Sequence, residues 1–422
     1  MAPFDGVLHL IPRDFNSSTA PEQFSAQWAM PGDVFSILLI VGGGVIGRAL
    51  AQLAGSRFPF VAFSFGWVAY AVSTVLAALG ENKLMPGSDY QCKVINGESG
   101  YVRDNTSWII GRIVRDFPFW MRRGSNRAMG GAKIQTRLNQ VINEKWTLAK
   151  AKKETKEKSG AVPDSTPISR PIQAGLCVSV YEAAEAGKKP LNHGLLDCLG
   201  VVTAIVQLSV AAAPWIKSGD WSVFLVTAVG TTLAFLTGLL PQWAQEKWAC
   251  REKTTKTVIL TRGNGSQHAI VIIGCGRGLD LEDLAAGPRD HASAPAPWTR
   301  AFTSGLALVW ILLLIAAAGI KENTWFLLGV GGLGMLENLY EAGKNRLPES
   351  FGVSLVFKEV IAEPKVMATL FAVEEKYPRV GRSMLGTFFP GRMRDEEVRM
   401  WDEYEIKAEK IEDAKNGPED SS

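Results

Sequence analysis

Six stretches of this chain are long and almost free of charge, and they constrain it more than any other feature. A hydrocarbon layer about 30 Å thick needs ~20 consecutive, mostly apolar residues in a helix rising about 1.5 Å per residue, because lipid offers the backbone no hydrogen-bond partner. Residues 34–53 carry one charge, Arg48; residues 58–79 carry none; 195–216 carry only Asp197, close to the start; 221–240 and 302–320 are uncharged throughout. The sixth, 324–340, is the weakest, because Glu337 and Asn338 fall near its end. Core helices of soluble proteins seldom run beyond about 14 residues without a charge, and here the runs come in pairs. The mean hydropathy of +0.06 is therefore an average of two unlike materials. The expectation is a mainly α, polytopic membrane helix bundle, with about six transmembrane helices in three hairpins (33–80, 195–241 and 302–340), carrying a small α+β cytosolic module.

Basic residues set the expected orientation. The links inside the three pairs hold one each, Arg57, Lys217 and Lys321, whereas 19 Lys and Arg lie in 81–194, eight in 242–301 and 13 in the tail from 341. Positive residues near span ends stay in the cytoplasm, so both long segments and both termini are predicted inside, including the arm 1–32 whose one basic residue is Arg13. No cleavable signal opens the chain, and the sequon Asn105-Thr106-Ser107 falls on the side where it stays unmodified.

The polar segments have local signatures. Residues 108–117 set Trp108, Ile109, Ile110, Ile113 and Val114 against Arg112, Arg115 and Asp116, an amphipathic helix stopped by Pro118; it lies either in the headgroup region or on its own domain. A lysine-rich run decaying into Pro and Ser at about 148–172 reads as a disordered linker. KTVILTRGNGSQHAIVII reads as a β-hairpin with Asn264-Gly265 at the turn, followed by a short acidic helix ending at Gly287. In the tail 341–422, a strand precedes a helix opened by Pro364 and a mixed-charge helix over 396–410.

Several motifs invite a chemical reading that their context removes. Gly42, Gly44 and Gly47 match G-x-G-x-x-G, yet no acidic residue follows between Asp33 and Glu81 to hold a ribose. Gly43 and Gly47 are better read as a small-xxx-small packing surface. Gly274, Gly276 and Gly278 lie between a strand and a helix and read as an ordinary turn rather than an anion cradle. RRGS at 122–125 fits a basophilic kinase pattern that occurs often by chance. The cysteines and histidines have no metal spacing, and no catalytic constellation, metal, cofactor or nucleic-acid partner is predicted.

The stretches WAMPGDVFSILLIVGGGVIGRALAQLAG, SGYVRDNTSWIIGRIVRDF, AGLCVSVYEAAEAG, LPQWAQEKWACR, LTRGNGSQHAIVIIG with LDLEDLA, and VEEKYPRVGRSMLGTFFPG span residues 28–391. They resemble a functionally uncharacterised multi-spanning membrane protein family of filamentous fungi. The resemblance implies a fungal origin and polytopic topology and brings no site residues.

Three functions follow as expectations. The first is a non-enzymatic scaffold in the lipid bilayer whose module binds a cytosolic protein or anionic lipid. The second is a small-solute transporter or channel, which requires Arg48, Gln207, Thr231, Thr232 and Glu337 to converge within the bundle. The third is a membrane-tethered enzyme, which requires a cytosolic pocket with perturbed carboxylates.

Overall fold

The computed structural model describes residues 32–56, 59–81, 83–123, 130–158, 168–185, 199–287 and 297–416. The arm 1–31, Arg57, Ser125, Asp197 and residues 159–167 of the expected linker lie outside them. Helices α1 (Gly32–Leu53) and α2 (Gly66–Leu76, continued by the π-helical turn Ala77–Glu81) come first. A polar stretch follows with β1 (Lys93–Asn96), β2 (Val102–Asp104), α3 (Trp108–Arg115), α4 (Phe117–Arg123), α5 (Gly131–Lys158) and β3 (Cys177–Ala183). Then come α6 (Leu199–Ser218), α7 (Ser222–Gly238), α8 (Gln242–Lys247), β4 (Thr257–Thr261), β5 (His268–Ile273) and α9 (Leu281–Ala286). The chain ends with α10 (Pro297–Ala318), α11 (Thr324–Gly343), β6 (Leu355–Ala362), α12 (Val366–Lys376), α13 (Val380–Phe388) and α14 (Asp395–Asn416).

The polar parts assemble into one module around a mixed sheet of order β2-β1-β4-β5-β3-β6, in which β3 and β5 are parallel and all other pairs antiparallel. Alternation along each strand builds two cores. Val94, Leu260, Ile270 and Tyr181 face α3, α4, α5 and α9, while Ile95, Ile259, Val271 and Val178 face α12, α13 and Trp401 of α14. The hairpin turn between β4 and β5 takes its positive φ angles at Gly263 and Gly265, not at Asn264, and the Thr261 hydroxyl accepts from the Gly263 amide at 3.1 Å. Strand β3 is buried on both faces over its first five residues.

Of its two expected places, helix α3 takes the one packed on its own domain. Its Arg112 is fully buried, and the helix is wedged between the sheet and the bundle, with Trp108 in the bundle core. Pro118 does not stop it as expected; it sits in the first turn of α4, where a missing N–H costs nothing. Residues 148–158 belong to α5 and are helical.

The bundle differs from three antiparallel hairpins. Two helices, α6 and α10, are long and apolar enough to cross a membrane, and only 28% and 22% of their apolar windows are buried in the protein. Their bare faces join those of the other bundle helices in a belt that includes Ile205, Leu225, Leu312 and Leu336. The second run, however, is not one helix. Residues 59–64 have no regular secondary structure, Phe65 is a helical N-cap, and α2 begins only at Gly66.

Close contacts give the path of that run. Gly42 meets Gly66, Gly43 meets Ala69, and Gly47 meets the Tyr70 ring, so α1 and α2 run parallel rather than antiparallel. Both run towards the module: Lys247 donates to the carbonyls of Gln52 and Ala54, and Gly55 packs on Trp248. The irregular arm therefore starts at the module end, climbs into the bundle past Gly238, Gly200 and Gly230, and hands over to α2, which descends again. Residues 59–81 thus enter the bundle from the module end and return to it. The links after α6 and after α10 do share the opposite, distal end, where Asn323 donates to Asp220 at 2.8 Å. Because α1 ends at the module, its first residue, Gly32, lies at the distal end.

Candidate functional site

The re-entrant arm is irregular because its sequence and its surroundings both refuse a helix. Pro59 lacks an amide proton, and the aromatic side chains of Phe60, Phe63 and Phe65 need space that only glycines on the neighbouring helices leave. A Cβ at Gly334 of α11 would stand 1.8 Å from the Phe63 carbonyl oxygen, one at Gly331 2.1 Å from the Phe65 ring, and one at Gly238 of α7 2.2 Å from the Pro59 carbonyl oxygen. Rings fix the apex: Trp310 of α10 stacks on both Phe63 and Trp67, at 6.1 and 5.5 Å between centroids.

Unpaired buried backbone is costly, and the centre of the arm has partners for its polar groups. The Ala62 carbonyl accepts from Trp67 Nε1 at 2.9 Å and Asn338 Nδ2 at 3.0 Å. The Ala62 amide donates to Glu337 Oε2 at 3.4 Å, and Asn338 also donates to Ser64 Oγ at 3.3 Å. Gln207 Nε2 reaches the carbonyls of Phe63 at 2.8 Å and Val330 at 2.7 Å. Three side chains from α6 and α11 thus hold three consecutive residues of the arm, and we call this group the clamp.

The five side chains expected to line a path divide. Gln207 and Glu337 converge in the clamp, where Glu337 is buried and aimed inward rather than reaching an interface. Arg48 and Thr232 are exposed, and the Thr232 hydroxyl bonds the Ala228 carbonyl of its own helix at 2.9 Å. Thr231 is half-buried and its hydroxyl has no hydrogen-bond partner. Gly43 and Gly47 do face α2, yet the tightest approach is Gly42 on Gly66, at 2.5 Å from an added Cβ. Gly42, Gly66 and the binding role of Asn338 were missed, although the adjacent Glu337-Asn338 pair inside an apolar run was the visible signal.

A second polar group, the collar, joins bundle to module. Lys247 caps the last carbonyls of α1, with its ammonium 4.9 Å from the Trp248 ring centre; cations suit the negative end of a helix. Arg112 donates to the Ala342 carbonyl at the end of α11 at 2.8 Å, pairs with Asp89 at 2.9 Å and stacks on Trp108 at 4.3 Å. Asp116 binds Arg115 and accepts from the Arg346 amide at 3.0 Å, and Arg346 pairs with Glu341 at 2.9 Å. Burial pushes the Lys247 ammonium well below the lysine range and the Arg112 guanidinium down to about 10, the latter partly offset by Asp89.

A cleft of about 250 Å³ beside the collar is lined by Trp108, Glu246, Lys247 and Leu284, among others. Burial raises the Glu246 carboxyl, but its oxygens already accept from the amides of Leu84 and Met85 and from Gln242 Nε2 at 2.7–2.8 Å. Its role is to hold the chain leaving α2. The Gly274–Gly278 turn offers no anion cradle either: Asp280 itself caps α9, accepting from the Glu282 and Asp283 amides. Among the described residues, no group of His, Cys, Asp and Glu is arranged to hold a metal ion.

No protein-family model, no curated protein and no solved structure matches this chain.

Proposed function

We propose that this is a multi-pass membrane protein that anchors an α/β module rigidly at one face of the bilayer, where the module serves as a non-enzymatic binding platform. The observation that carries this reading is the collar. Buried basic side chains from α3, α8 and the chain after α11 grip the helix ends of α1 and α11 and tie the module to them. The exposed aliphatic belt supports lipid contact, since soluble monomers rarely bare apolar patches beyond a few hundred Å². The topology we infer has five crossings, α1, α6, α7, α10 and α11, with 59–81 re-entrant from the module side. The basic residues of 81–194, 242–301 and the tail then lie together in the cytoplasm, and the arm with Arg13 alone lies outside, in keeping with positive-inside retention.

Sealed vesicles of known sidedness test this with an impermeant thiol reagent. Cys275, exposed in the module, is expected to react on the cytosolic side. A cysteine at Lys217 and an N-terminal tag are expected on the other. An N-terminal tag on the cytosolic side removes the five-crossing topology.

A second reading, a small-solute transporter or channel, is favoured by the re-entrant arm, because irregular backbone at membrane depth is a recurrent feature of such proteins. Solute flux into proteoliposomes decides between them. Flux that falls on Glu337→Gln supports transport, and its absence leaves the anchoring reading.

A further inference from the structure

The clamp is left with a surplus of acceptors. Gln207 Oε1, Glu337 Oε1 and Asn338 Oδ1 are all buried and have no hydrogen-bond partner, on side chains that are 0%, 7% and 0% exposed. Their orientations are fixed by their other atoms. The Gln207 nitrogen faces two carbonyls and the Asn338 nitrogen a carbonyl and a hydroxyl, so turning either amide over would set oxygen against oxygen. Other orphans in the bundle, such as Thr231 Oγ1, are single groups, whereas these three belong to side chains anchored on consecutive residues, Ala62 to Ser64.

Such a set calls for a ligand that offers positive charge to several oxygens at once. A single water brings two protons and leaves the third acceptor bare. It also leaves the Glu337 carboxylate, which has no ion pair, without compensation. Divalent cations favour sites with several carboxylates, and only one is present. Alkali cations are bound inside membrane proteins by amide, carbonyl and carboxylate oxygens beside unwound helix.

We propose that Gln207, Glu337 and Asn338 bind one dehydrated alkali cation beside the irregular arm and so lock it in the bundle. The site stands apart from the anchoring reading, since it lies in the bundle and needs no partner at the module.

The test uses the full chain purified in detergent. Its melting temperature is followed as NaCl, KCl or N-methylglucamine chloride is raised at constant pH and ionic strength. Stabilisation by Na+ or K+ over the organic cation is expected, and the better of the two identifies the ion. Glu337→Gln is expected to raise the half-saturating concentration by about tenfold or more, equivalent to about 1.4 kcal/mol, while Thr232→Ala leaves it unchanged. Should Glu337→Gln fail to fold, 23Na line broadening by the unaltered protein, reversed by K+, gives the same answer. Equal melting in all three salts overturns the proposal. So does stabilisation that follows pH alone, which would make Glu337 a protonated acid.

Discussion

The collar and the clamp are both buried polar groups built on helices of the same bundle, yet they end with opposite surpluses. In the collar the extra groups include donors: Arg112 Nε and Nη1 have no acceptor and are left to the Trp108 ring. In the clamp the extra groups are acceptors. The collar brings its own cations on side chains, so it is complete within the chain and fixes the module. The clamp holds an irregular strand with neutral amides and one acid, so its charge balance is open to something from outside. One group is a joint and the other a seat.

Replacing Asp116, on which Arg115 and the Arg346 amide converge, is the strongest way to break the joint. Asp116→Ala should cost about 3–5 kcal/mol, the range for breaking a buried pair, read as a large fall in melting temperature with the module loosened towards protease. In the seat, Gly334→Ala drives a methyl into the Phe63 carbonyl and should cost at least the upper part of the about 1–3 kcal/mol usual for overpacking. Proteolysis should then open the chain near the arm while the module stays resistant. Gln207→Leu keeps the volume but leaves the Phe63 carbonyl bare, at about 1–3 kcal/mol. Thr232→Ala, on the outer face of α7, should stay within about 0.5 kcal/mol.

The smallest effect separates the two by pH. The Lys247 ammonium is held below its unfolded value, so between those values the unfolded chain binds the extra proton, and stability rises with pH up to the ordinary lysine range. Lys247→Met should lose that alkaline rise, seen by comparing melting curves of both proteins from neutral pH to about pH 10. If both curves rise alike, Lys247 is not the group responsible.

What could be read in the sequence was whatever depends on near neighbours. The β4–β5 hairpin and the acidic helix stopping at Gly287, with φ of 74°, follow from local turn and cap chemistry. Strand β3 was not foreseen. Its CVSVY core is short, and it becomes a strand through β5 and β6, which lie far along the chain. The re-entrant arm escaped for a different reason: apolar content over 58–79 measures what a segment dissolves in, not the direction it takes. Pro59 was the one local hint. The arm's true guides, Gly230, Gly238, Gly331 and Gly334, belong to other helices.

Dependence on distant guides has a consequence for biogenesis. When residues 59–65 leave the ribosome, neither α7 nor α11 has been made, and the groove that receives the arm does not exist. At about 5–20 residues per second, the 269 residues separating Phe65 from Gly334 take roughly 15–50 s to synthesise. Throughout that interval a proline-led aromatic segment must wait without its groove, and only the arrival of the last helix lets it thread home.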